Sequence, residues 1–181
     1  ERDARVNVAA MRLAEKFFKQ PDGEQLVARV AARVTTEPAV RLQMALTLGE
    51  AKTKAAEAAM IALVVEAGTQ PYLVDAVVSG LNRREADFVE ALVSEVKEGG
   101  AAVKAAVVAA TGAVMKSSDP VRLARVLALV PDGATPAWAR TAVLDGVERA
   151  LPRMSDGRVL AANLAAEPKP LVEFAAKGSV P

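Results

Sequence analysis

The carboxylates of Glu85, Asp87 and Glu90 fall inside one short window, and hard oxygen ligands at such density are what a divalent cation requires. They sit around a stretch whose other side is apolar, with no histidine and no tight loop to complete a coordination shell, so the preferred reading is a solvated helix face. Arg83 and Arg84 offer a pair of guanidinium forks suited to phosphate, yet acidic residues follow at once, which favours an ordinary surface. Asp145 and Glu148, followed by Arg149, have the spacing of side-chain pairs on one helix instead of a catalytic acid and base. Tyr72 and Trp138 could line a ligand pocket. Each follows a proline at or near an apolar-stripe position, so packing between helices is the expectation for both. With no Cys and no His among 181 residues there is no disulfide, thiolate, imidazole base or histidine metal ligand. We therefore expect no catalytic residue, no metal and no cofactor.

These residues are carried on elements that read as helices throughout. The clearest runs from Glu37 to Glu50. Pro38 has no N–H to lose in a first turn and a preset φ; Val40, Met44 and Leu48 recur at i, i+4 and i+8; and Gly49 is placed to end the helix in a left-handed turn. A second apolar helix over 53–66 follows, with Ala58, Ile61, Ala62 and Val65 on its expected inner face. Before this pair, residues 3–19 form a helix with Val6, Ala10, Leu13 and Ala14 on one face. The turn Gln20-Pro21-Asp22-Gly23 and a helix over 24–34 come next. After it, Pro71–Leu81 repeats the proline-plus-stripe grammar. Residues 85–97 (Phe88, Ala91, Leu92 and Val96 inward), 101–115, 121–130 and a copy opened by Pro136 are the remaining helices. The first stripe residues Val6, Val40 and Leu73 are 34 and 33 apart, Trp138 lies 65 beyond Leu73, and Pro170–Phe174 comes one further period on. A period near 33 marks stacked helix pairs, each burying its stripe against its neighbours.

Composition agrees. Aromatic residues are 3% of the chain and the β-branched residues fall at helical spacing, so the fold class is all-α. Net charge is +1: residues 1–60 carry 10 basic and 8 acidic groups, 61–120 carry 5 and 8, and 121–181 carry 8 and 6. No segment forms the basic field that nucleic acid would demand. Apolar runs such as Ala58–Val65 are far short of the roughly 20 residues of a membrane span, so no membrane insertion is expected. A start at Glu1, charged on both sides through Arg5, looks like no signal peptide and is expected to mark a fragment of something longer.

The run Val40–Glu50, then Pro71-Tyr72, Asp119-Pro120 and Pro136-Ala137-Trp138, resembles the HEAT segment of bacterial putative membrane-bound dehydrogenases, which join a β-propeller, HEAT repeats and a C-terminal c-type cytochrome domain. The resemblance implies a single α-α superhelix of about five helix pairs over 1–181, a connector role, and a periplasmic or extracytoplasmic location. It implies no haem here, because the family's Cys-x-x-Cys-His motif has no counterpart in a chain without Cys or His. Three function classes follow: a structural or protein-interaction module, a nucleic-acid binder like the HEAT-like DNA glycosylases, and an enzyme like the HEAT-like bilin lyases. The even charge and single Trp disfavour the second, and the missing bases disfavour the third.

The ends supply the candidate surface. Natural solenoids finish with polar caps. Here the first helix offers Val6, Val8, Met11 and Phe17 around much of its circumference, and the tail carries Leu171, Val172, Phe174 and Val180. We expect one end to be uncapped, with Val8 and Phe17 as its contacts, Arg83 and Arg84 as a secondary surface, and neighbouring protein or a second copy as partner. The buried set is expected to include Val40, Met44, Leu48, Ile61, Val65 and Leu81.

Overall fold

In the computed structural model, residues 3–151, 164 and 166–177 are described, and among them every regular element is a helix. The ten are α1 (Ala4–Glu15), α2 (Gly23–Ala31), α3 (Pro38–Gly49), α4 (Lys54–Val65), α5 (Leu73–Gly80), α6 (Glu85–Glu95), α7 (Ala101–Lys116), α8 (Pro120–Ala128), α9 (Ala137–Ala150) and α10 (Lys169–Ala176). The protein is all-α. Val180 lies outside the described residues.

Helix starts follow their chemistry. Asp3 accepts from the Arg5 N–H at 2.8 Å, Thr53 from the Ala56 N–H at 3.2 Å, and Asp119 from the N–H groups of Val121 and Arg122 at 3.1 and 3.2 Å, each satisfying donors that a first turn leaves unpaired. Pro38 and Pro120 occupy first-turn positions of α3 and α8.

The chain divides into two compact units, Glu1–Asn82 and Arg83–Pro181. Within the first, α3 is central: it packs on α1, on α5 and on α4, while α2 packs on α4. Its stripe residues Val40, Met44 and Leu48 are buried as expected, together with Ile61 and Leu81. Within the second unit, α7 packs along α9, and α6 and α8 pack on each other and on α7.

Several expectations fail, for separate reasons. Val65 is half exposed, and Ala58 and Ala62 of the same expected face are exposed; beside Ile61, α4 buries Ala56, Met60, Leu63 and Val64. Ten of the twelve residues of α4 are Ala, Met, Ile, Leu or Val, so the helix has no polar face to fix the stripe's phase. Gly49 takes no left-handed φ; among the described glycines only Gly68 does. It is the last helical residue of α3, and a Cβ there would lie 2.6 Å from the Gly80 Cα, so the glycine serves a close crossing of α3 and α5. Tyr72 is not packed between helices. It stands 74% exposed, with φ of 62°, at the start of α5.

Candidate interaction surface

Helix α1 packs on α3 and is fastened to it by a polar network. Met11 is its single buried side chain, 4% exposed. Beside it the Glu15 carboxylate accepts from the Thr47 hydroxyl at 2.6 Å and from the Gln43 amide at 3.3 Å, while Gln43 Oε1 accepts from Arg12 Nε at 2.8 Å. Gln43 also donates to Thr47 Oγ1 at 3.1 Å. Gln43 and Thr47 are buried in α3, so these bonds hold two polar groups that could not otherwise be left inside, and they fix the register of α1.

The expected inner stripe of α1 faces the other way. Val6 is 58% exposed and Leu13 56%; Ala10 is exposed too, and Phe17, just past the helix end, is 48% exposed. Val6, Ala10 and Leu13 form one narrow row, because spacings of 4 and 3 return to the same side at 3.6 residues per turn. Backbone bonds from Lys16 N to Leu13 O (3.2 Å) and from Phe17 N to Ala14 O (2.9 Å) carry the chain onward in a tighter turn, with Phe17 exposed just past the row. Beyond Phe17 an open hollow of about 680 Å³ continues the surface onto α2, lined by Phe17, Pro21, Leu26 and Arg29 among others. Val8, named from the sequence as a contact, is half-buried; Phe17, the other, is exposed.

Family models, curated proteins and solved structures return no match to this chain.

The three clustered carboxylates of the second unit are not simply solvated. Arg122 Nη1 lies 3.0 Å from Glu85 Oε2 and its Nε 2.9 Å from Asp119 Oδ2, with the Arg122 and Glu85 side chains 12% and 13% exposed. Arg125 Nη2 donates to Asp87 Oδ1 at 2.7 Å and also to Glu90. These pairs tie α6 to α8 across their surface edge. Hydrogen bonds from the Arg122 backbone and then its side chain hold the Asp119 carboxyl below its usual range. Bonds to Glu90 and then Asp87 raise Arg125 further above its ordinary value, so it stays charged. Among the described residues no group of three or more acids, His or Cys is arranged to hold a metal.

Arg83 has a left-handed backbone (φ 75°); its N–H donates to Glu85 at 3.1 Å, its carbonyl accepts from Arg122 at 3.2 Å, and its guanidinium lies 3.8 Å from Asp119. Arg84 is the N-cap residue of α6. Arg83 thus belongs to the α6–α8 ion-pair edge, and Arg84 stands next to it at the start of α6. Trp138 covers Gly99, where a Cβ would meet the indole at 2.4 Å, and its N–H donates to the Lys97 carbonyl at 3.0 Å. It packs as expected, with its polar edge satisfied. Among the described residues no helix is long and apolar enough to cross a membrane.

Proposed function

We propose that the chain is a non-catalytic structural or protein-interaction module, built as a HEAT-like α-α superhelix of stacked helix pairs. Packing of α1 on α3, α3 on α5 and α2 on α4 in one unit, and of α6 on α8 and α7 on α9 in the other, has the every-second-helix order such a stack requires. The observation that carries the functional reading is that α1 has two apolar sides: Met11 is buried toward α3, and Val6, Ala10, Leu13 and Phe17 are left open opposite. A helix with apolar residues on both sides is what the interior of a stack uses, so its outer row is a docking face. The HEAT-segment resemblance would make that face a seat for a neighbouring domain and the chain a connector between propeller and cytochrome domains. Radical footprinting in the cell of origin and on purified protein tests this. Phe17 and Leu13 should be labelled several-fold less in the cell, and equal labelling in both settings would refute the reading.

A further inference from the structure

We propose that the outer face of α1 receives an amphipathic helix whose apolar seam is bordered along one side by carboxylates; this rests on the interaction-module reading above. Two features of the face define the occupant. Val6, Ala10 and Leu13 fall within a sector of about 60° at 3.6 residues per turn, Phe17 follows in the turn just past the helix end, and the 4-3-4 spacing is the seam of a helix that packs lengthwise on another helix. The exposed residues Arg5 and Lys16 fall on one side of that seam, with Arg12 between them but held to Gln43 of α3 by its Nε, whereas Asn7 and Ala14 border the other. The one acid within α1, Glu15, is turned toward α3 and held by Thr47 and Gln43. Asp3, at the N-cap, offsets Arg5 in part, 3.6 Å away. The open face is therefore an apolar row with a basic ridge, and its complement is an apolar row with an acidic one.

A second copy of the chain fits poorly. Set antiparallel, two α1 helices bring basic ridge against basic ridge; set parallel, each ridge meets Asn7 and Ala14, which offer no counter-charge. An anionic bilayer would also accept apolar and basic groups. However, the row is one residue wide and runs into the hollow beside Phe17, Leu26 and Arg29, a concave relief that matches a rod better than a plane.

The test uses two labelled synthetic helices with leucine at the seam positions, one flanked by glutamate and the other by lysine, titrated with the whole chain at low and at physiological salt. The glutamate-flanked helix should bind at least about tenfold more tightly, lose affinity with salt, and lose binding to a Leu13→Glu variant that keeps its helical circular dichroism. An Arg5→Glu, Lys16→Glu double variant should prefer the lysine-flanked helix; that inversion cannot arise from a merely unfolded protein. Equal affinity for both helices, or none for either, overturns the proposal. Sedimentation of the wild type and co-sedimentation with anionic phospholipid vesicles separate the causes. A dimer abolished by Leu13→Glu makes a second copy the occupant and leaves the interaction-module reading standing, while vesicle binding abolished by the same change makes it a membrane. A monomer silent toward helices and vesicles alike overturns both readings.

Discussion

Replacing Gly49 with Ala places a methyl group where α3 and α5 already touch. The new Cβ would lie 2.6 Å from the Gly80 Cα and 3.1 Å from its carbonyl oxygen, both backbone atoms with no rotamer to yield. Carbon atoms settle at about 3.5–4.0 Å, so the two helices must part by about 1 Å. Overpacking of this kind costs about 1–3 kcal/mol, and a rigid backbone contact belongs near the upper end. Against this stands the helix-propensity gain of Gly→Ala, about 1 kcal/mol at most and less at a last helical residue. The net expectation is a loss of about 1–2 kcal/mol. Gly112→Ala in α7 is the control: its Cβ would meet the Gly146 carbonyl oxygen at 3.8 Å and the Ala150 Cβ at 3.9 Å, ordinary contacts, so the propensity gain stands and the protein is stabilised by about 0.5–1 kcal/mol. Urea unfolding followed by helical circular dichroism reads both. The two substitutions should shift the curve in opposite directions, and a neutral or stabilising Gly49→Ala would refute the close crossing.

The ion pairs joining α6 and α8 should separate by burial: Arg122→Ala, whose side chain is 12% exposed, should cost about 2–3 kcal/mol, and Arg125→Ala, at 40%, below about 1 kcal/mol, in the same urea assay. Because the Asp119 carboxyl is held below its ordinary value of 3.8, its contribution is complete above that pH and is lost as pH falls through the lower folded value. Acid titration should therefore loosen the start of α8 only below about pH 4, and Asp119→Asn should flatten that step. The Thr111 hydroxyl is fully buried in α7 without a hydrogen-bond partner, so Thr111→Val should be neutral or stabilising by up to about 1 kcal/mol in thermal unfolding. Leu48→Ala, at a wholly buried position of α3, should cost about 2–5 kcal/mol.

How much of this the sequence disclosed varied with how much polar contrast each helix carries. In α3, Pro38 marks the start and Arg41 divides the apolar positions, so Val40, Met44 and Leu48 were placed correctly from spacing alone. In α4 the alanines and valines run all round, and of the expected face only Ile61 is buried; Ala58, Ala62 and Val65 are exposed, so the helix presents nearly its opposite side to the core. The glycines were harder still. Gly49 and Gly80 are 31 residues apart, and nothing in either neighbourhood says that they meet; a helix-ending glycine and a helix-crossing glycine have the same local sequence. For the ion-pair edge, Glu85, Asp87 and Glu90 were visible as a cluster, but their partners Arg122 and Arg125 lie more than 30 residues on, and only the packing of α6 on α8 brings them together.

The candidate face on α1 shows the same limit from a more useful side. Reading Val6, Ala10 and Leu13 as the inner row followed from the strongest apolar periodicity in the helix, and periodicity cannot tell an inner row from an outer one when both are present. What decides the matter is polar: Glu15 and Arg12 reach Gln43 and Thr47, and that network turns Met11 inward and leaves the larger apolar row outside. Had burial alone governed the helix, its richer side would have faced α3. A buried amide and hydroxyl that need partners can outweigh a modest difference in apolar area, since leaving both unsatisfied costs about 1–3 kcal/mol each while a methylene is worth about 0.8 kcal/mol. Glu15→Leu together with Gln43→Leu and Thr47→Val removes that constraint. The triple variant should let α1 rotate its outer row inward, so that Phe17 and Leu13 become less accessible to radical labelling and Met11 more so; unchanged labelling would mean that packing against α3, not the polar network, sets the orientation of α1.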